Sequence, residues 1–217
     1  MESIVIEDLV KSYGYFVAVD HASLRVDEGS VYGLIGPNGA GKSTIIRSMM
    51  GIVPYQGGRV WVSGTDMGGR DAQRKVRIGY LPQKAAFQEY LTAEQALYTL
   101  GRLSGLQGDQ LRSRMDEVME RLGIGEYRDR KVNKLSGGTL QKLGFAQAIL
   151  HEPSILVLDE PMASLDPANR FLFKTMIKEL RDSGTTILFS SHILSDVEDL
   201  ADSVGLLQNG RVRYSGP

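Results

Sequence analysis

Cysteine is absent from this chain, which excludes disulfides, thiolate metal sites and cysteine nucleophiles and fits a reducing compartment. Charge of either sign is not in excess: 25 Lys and Arg stand against 26 Asp and Glu, a net of -1. That balance removes the basic footprint needed to track a phosphate backbone, so no nucleic-acid partner is expected. No run approaches the ~20 apolar residues of a membrane span, and Met1-Glu2-Ser3-Ile4 lacks the basic and apolar regions of a signal peptide. A cytoplasmic protein is expected, and any membrane role must come through another chain. What remains is 217 residues with 42% hydrophobic and 24% charged, enough for one substantial core and ordinary for a globular domain.

Residues 4–6, 18–19 and 22–26 read as short strands, followed by a turn at Asp27-Glu28-Gly29 and a buried strand over 31–35. A glycine-rich loop then leads into a helix over 42–50 that Gly51 closes. The stretch from about 85 to 135 has a different texture. Thr92 and Gln95 form a capping box ahead of Ala96, Leu97, Leu100 and Leu103, and Leu111, Met115, Val118, Met119 and Leu122 share one face of a second helix stopped by Gly123. This reads as a helical subdomain, about 85–135, inserted into an α/β core formed by 1–84 and 136–217 of a single domain. The core resumes with a strand over 155–158, a helix opened by Asp166-Pro167 and closed by Gly184, a strand over 185–189, and a helix capped by Ser195 and Glu198. Asn209-Gly210 between two apolar runs signals a hairpin.

Gly36-Pro37-Asn38-Gly39-Ala40-Gly41-Lys42-Ser43 satisfies the phosphate-binding pattern of two glycines followed by Lys and Ser or Thr. The glycines let backbone N–H groups curl around phosphates while the next helix, continuing through Thr44, points its positive end at them. Lys42 is expected to reach the outer phosphates and Ser43 to ligate Mg²⁺. The strand over 155–158 ends in Asp159-Glu160, and ligands of open α/β sheets sit at the carboxyl ends of strands. Asp159 is therefore expected to hold Mg²⁺, with Glu160 acting one step further out as general base.

Leu135-Ser136-Gly137-Gly138 opens a helix whose apolar face reads as Leu140, Leu143, Ala146, Ile149 and Leu150, with Ser136 typed as N-cap and a second anion-binding end at the glycines. Lying between the phosphate loop and the acidic strand, this segment resembles the signature of the ABC ATPases. Other segments are similar to that family in the same order. Tyr13 resembles its adenine-stacking aromatic, and Gln83, in Gly-Tyr-Leu-Pro-Gln, its metal- and water-sensing glutamine. Asp166, in Ser-Leu-Asp-Pro, resembles its dimer-contact loop, and His192, in Ser-Ser-His, its switch histidine. Two departures bear on fine contacts across the nucleotide: Thr139 stands where the family commonly has Gln, and Pro161-Met162-Ala163-Ser164 where Thr and Gly are frequent. His21 and His151 match nothing and are read as structural or surface residues.

The resemblance implies a P-loop NTPase core of ABC ATPase type with an N-terminal antiparallel β subdomain and the helical insert. It also implies ATP and Mg²⁺ as cofactors, with Ser43, Gln83 and Asp159 around the metal and Lys42, Gln83, Glu160 and His192 in catalysis. A head-to-tail dimer of two copies follows from it, in which Ser136, Gly137 and Gly138 meet the partner's nucleotide. The helical insert would dock a separate membrane-spanning subunit on the inner face of the membrane, and the wording around 78–82, 91–94 and 129–132 resembles the ABC-2 exporter branch. Two other readings compete. A soluble ABC protein acting on ribosomes or DNA typically carries two cassettes or a long coiled-coil insertion, and neither is present here. A nucleotide-gated scaffold without turnover is opposed by intact Glu160 and His192.

Overall fold

Strands β3 (Val31–Ile35) and β7 (Ile155–Leu158) are almost continuously apolar, β8 (Thr186–Ser191) carries the apolar run Ile187, Leu188 and Phe189, and all three are buried, the pattern of parallel strands covered on both faces. With β6 (Ile78–Leu81), β9 (Ser203–Gln208) and β10 (Arg211–Gly216) they make a six-stranded sheet in the order β10-β9-β3-β8-β7-β6. All neighbours run parallel except the terminal β9–β10 hairpin, whose turn residues Asn209 and Gly210 have φ of 50° and 75°. The computed structural model describes residues 1–69, 76–163 and 165–217.

A second, antiparallel sheet orders β2-β1-β4-β5, from β1 (Glu2–Tyr13), β2 (Phe16–Asp27), β4 (Gly57–Val62) and β5 (Thr65–Asp66). The three short strands expected before residue 27 are one long hairpin, kept continuous by bulges that include Asp8 and His21 at positive φ. Its buried face packs with Tyr32 and Leu34 of β3 and with Ile45, Ile46 and Met49 of α1 (Lys42–Met49). A second apolar cluster joins β7 and β8 to the helices α2 (Ala93–Leu103), α3 (Gly108–Arg121), α4 (Gly137–Ile149) and α5 (Pro167–Asp182). Leu97, Leu111 and Met115 of the helical insert thus share a core with Phe145, Leu156 and Phe173.

The Thr92–Gln95 capping box forms as expected, but Leu103, read as apolar-face, is 79% exposed because α2 ends there. Helix α4 is not the one-faced helix its sequence suggests: Leu143, Gly144, Phe145, Ala146, Ala148 and Ile149 are all buried. Such a helix is enclosed on several sides. Here Gly144 lies against Leu81 and Ala85 with no room for a Cβ, and α2 and α3 also pack on the helix. The cap expected at Ser195 and Glu198 does not form either. Helix α6 (Leu194–Leu200) begins two residues earlier, after Ile193, whose N–H donates to Ser191 Oγ at 3.0 Å.

Candidate nucleotide site

Four parallel strands end side by side in the order β3, β8, β7, β6, and each delivers chemistry just past its carboxyl end. Gly36 follows β3, Ser190 and Ser191 close β8 with His192 next, Asp159 and Glu160 follow β7, and Gln83 lies two residues beyond β6. Sheet order therefore gathers residues spread over more than 150 positions of sequence.

The loop over 36–41 turns into α1 through Gly39 at φ 80° and Gly41 at φ 109°. Gly36 and Gly41 have a further reason to lack a side chain. A Cβ on Gly36 would overlap the carbonyl oxygen of Leu207 and one on Gly41 that of Ala18, whereas Gly39 faces open space. The loop is also tied from behind, Gly210 N–H donating to Ala40 O at 2.9 Å and Asp20 N–H to Gly210 O at 2.9 Å. Lys42, 5% exposed, donates to Gly36 O at 2.7 Å and Pro37 O at 3.2 Å.

Asp159 is wholly buried and Glu160 is 5% exposed, so the pair is not a solvated strand end. Asp159 Oδ1 accepts from Ser43 Oγ at 3.0 Å and from Ser190 Oγ at 2.8 Å, while its Oδ2 is buried without a hydrogen-bond partner. Glu160 holds a φ of 51°, a region costly for residues with a side chain. Its N–H donates to Ser190 Oγ at 2.9 Å. Its Oε2 lies 2.9 Å from His192 Nδ1, and its Oε1 lies 3.0 Å from Lys42 Nζ, an ion-pair distance without hydrogen-bond alignment.

Tyr13, Phe16, Ala18, Asn38, Gly39 and Glu160 are among the residues around a cleft of about 330 Å³, which also takes in Gly41, Lys42, Ser43, Thr44 and Gln83. Tyr13 sits at its edge, with Lys11 Nζ 4.7 Å from the ring centroid. Gln83 is exposed at the cleft wall.

Ser136, Gly137, Gly138 and Asp166 are not among the residues lining this cleft. They form a second group at the adjoining N-termini of α4 and α5. Ser136 Oγ caps α4 by accepting from Thr139 N–H at 3.2 Å, and Thr139 Oγ1 lies 2.8 Å from the same oxygen, so the unexpected threonine reinforces the cap. Asp166 caps α5 by accepting from Asn169 N–H at 2.9 Å, and that bond holds its carboxyl below the usual range. Gln141 Nε2 donates to Pro161 O at 3.1 Å, linking α4 to the chain leaving the carboxylates. Ser164, part of the Ser-Leu-Asp-Pro segment, lies outside the described residues.

The glycine loop at a helix N-terminus, a buried Lys and Ser on it, and carboxylates from a neighbouring parallel strand define a nucleoside-triphosphate-binding P-loop domain. The ABC transporter family profile matches residues 19–163, more than half of the sequence, and the chain belongs to that family. It is 39% identical, over 97% of its length, to an uncharacterized ABC transporter ATP-binding protein, YxlF, of Bacillus subtilis (strain 168), covering 70% of that protein. To the linearmycin resistance ATP-binding protein LnrL of the same organism it is 35% identical over 95% of its length, covering 66% of that one. The chain thus spans about two thirds of the length of these relatives. A solved dimeric structure of MJ0796, a bacterial ABC transporter cassette, superposes with a TM-score of 0.91 at 22% identity, covering 98% of this chain and 97% of that one, which establishes the fold.

Among the described residues no helix is long and apolar enough to cross a membrane. Sequence reasoning missed Ser190 as a functional candidate, although it is the first residue of the Ser-Ser-His segment.

Proposed function

We propose that this chain binds ATP with Mg²⁺ and hydrolyses it as the nucleotide-binding subunit of a membrane exporter, working on the cytoplasmic face. The observation that carries the reading is Glu160: a nearly buried carboxylate at the cleft, between Lys42 Nζ at 3.0 Å and His192 Nδ1 at 2.9 Å. Such a group is placed to take a proton from water.

In this reading Tyr13 stacks on adenine and the loop residues Gly36, Pro37, Asn38, Gly39, Ala40, Gly41, Ser43 and Thr44 cradle the phosphates. Lys42 leaves Glu160 and the carbonyls of Gly36 and Pro37 to meet the outer phosphates. Its departure frees Glu160 to orient and deprotonate the attacking water, and His192 holds the carboxylate and meets charge that develops in the transition state. Ser43, Gln83 and Asp159 hold the metal. The bare, buried Oδ2 of Asp159 fits a hard cation, and Mg²⁺ takes one or two carboxylates plus phosphates rather than an all-protein cage. That suits a chain with no group of three His, Cys, Asp or Glu poised for a metal among the described residues. When bound, Mg²⁺ would neutralise part of the charge of the outer phosphates.

Ser136, Gly137 and Gly138, with Asp166 beside them, serve the nucleotide of a second copy in a head-to-tail dimer. A Cβ on Gly137 would meet nothing within 4 Å, and one on Gly138 only Asn169 Nδ2 and Leu165 Cδ2 at 4.0 Å, which supports this. The helical insert docks the membrane subunit, and kinship with a linearmycin resistance protein favours export.

Glu160→Gln tests the reading. Turnover should fall at least about 100-fold, ATP affinity should persist, and an ATP-held dimer should accumulate on size exclusion. Wild-type hydrolysis in this variant removes Glu160 from the role of base.

A further inference from the structure

We infer that Ser190 is a positioning residue for hydrolysis: its one hydroxyl sets both carboxylates, fixing which oxygen of Asp159 faces the metal and how Glu160 is presented to water. The inference rests on the ATPase reading above.

Strand β8 lies between β3, which carries the phosphate loop, and β7, which carries the acids. A side chain at the end of β8 is therefore the natural bridge between them. Ser190 is fully buried, and its oxygen performs two tasks. It donates its proton to Asp159 Oδ1 at 2.8 Å and accepts the Glu160 N–H at 2.9 Å. Each task fixes the direction of the other, because the hydroxyl proton is committed to the carboxylate and the lone pair to the amide.

The first bond matters for the metal. Ser43 and Ser190 both donate to Oδ1, so that oxygen is engaged twice and Oδ2 is left bare. Two donors on Oδ1 hold the carboxylate against rotation and keep Oδ2 as its free oxygen. The second bond matters for the base. Glu160 sits at φ 51°, where an L-residue stays only if its surroundings hold it. Asp159 N–H to Leu81 O at 2.9 Å fixes the residue before, and Ser190 fixes Glu160 itself. Two residues beyond Ser190 the same strand end presents His192 to Glu160 Oε2. The carboxylate is thus oriented at both ends, backbone and tip, from β8.

The test uses the whole chain and three variants, Ser190→Ala, Ser190→Thr and Ser190→Cys. Steady-state hydrolysis gives kcat and KM. Calorimetry with a non-hydrolysable ATP analogue, once with Mg²⁺ and once with EDTA, gives the affinity gained from the metal without any turnover. For Ser190→Ala we expect kcat to fall about 10- to 100-fold, as for loss of a hydrogen bond to a charged group, with KM rising by no more than the loss of Mg²⁺-dependent affinity. The Mg²⁺-dependent gain should shrink by about tenfold while affinity in EDTA is kept. Ser190→Thr, which retains the hydroxyl, should recover both.

Unchanged kcat and unchanged Mg²⁺ gain in Ser190→Ala overturn the inference. So does an equal loss of affinity with and without Mg²⁺, which marks a merely structural residue. Should Ser190→Ala fail to fold, Ser190→Cys has similar volume and a much weaker donor, and a wild-type Mg²⁺ gain in it is equally fatal. Failure of the ATPase reading looks different: the wild-type chain itself then shows no turnover.

Discussion

The N-termini of α1 and α4 both carry glycines, and they are built in opposite ways. At α1 the space is already occupied: Gly36 and Gly41 are pressed against the carbonyls of Leu207 and Ala18, and Lys42 and Ser43 have partners within the chain. At α4, Ser136 and Gly137 are exposed, and a Cβ on Gly137 would meet nothing within 4 Å. Glycine at the first is demanded by the chain's own packing. Glycine at the second is not, which accords with the proposed contact to the nucleotide of a second copy.

The strongest way to break that contrast is to put a charge at the open end. Gly138→Asp should abolish hydrolysis while leaving ATP binding intact, because the added carboxylate repels the phosphates of a nucleotide held by another copy. Lys42→Ala should lower ATP affinity at least about tenfold. Mixing the two variants should return some activity, since one site of the heterodimer then has an intact loop and an intact signature. If mixing restores nothing and Glu160→Gln stays monomeric at saturating ATP, the two ends are not shared between copies.

A milder substitution separates the two helix ends by stability. Gly36→Ala forces a methyl into the Leu207 carbonyl and should cost about 1–3 kcal/mol, a drop of roughly 2–12 °C in Tm for a chain of this size. Gly138→Ala has its nearest neighbours, Asn169 Nδ2 and Leu165 Cδ2, at 4.0 Å, so its Tm should stay at the wild-type value. Equal losses in scanning calorimetry would erase the distinction.

The smallest effect concerns Asp166. Its carboxyl is held low by the Asn169 N–H, so the folded state favours the ionised form. The cap's contribution is complete above the ordinary carboxylate range and is lost as pH falls through the depressed folded value. Asp166→Asn keeps an N-cap acceptor that does not titrate. Its stability relative to wild type should therefore rise on the acid side, and parallel Tm curves across pH would contradict the assignment.

The candidate site residues were legible because they stand in short segments. A glycine loop, an acidic strand end and a capped glycine pair each reveal themselves within ten residues. What was not legible depends on neighbours distant in sequence. The periodicity of α4 singles out Leu140, Leu143, Ala146, Ile149 and Leu150, yet Phe145 and Ala148 are buried too, because packing closes around other flanks of the helix. Gly36 and Gly41 looked like concessions to a phosphate, and the carbonyls that exclude a side chain there come from residues 207 and 18. Ser195 and Glu198 have cap spacing, but Ser191 had already set where α6 starts. The double role of Ser190 requires knowing that β8 lies beside β7.

The carbonyl of Leu207 and the amide of Gly210 press on the phosphate loop from the last hairpin, roughly 170 residues downstream. During synthesis at about 5–20 residues per second, the loop would wait roughly 10–30 s for the strands that support it. Until β9 and β10 arrive, Gly36 to Ala40 have lost the two backbone groups behind them, and β3 lacks one of its two sheet neighbours. Nucleotide binding to a fully supported phosphate loop therefore has to await β9 and β10, which complete the backing behind it.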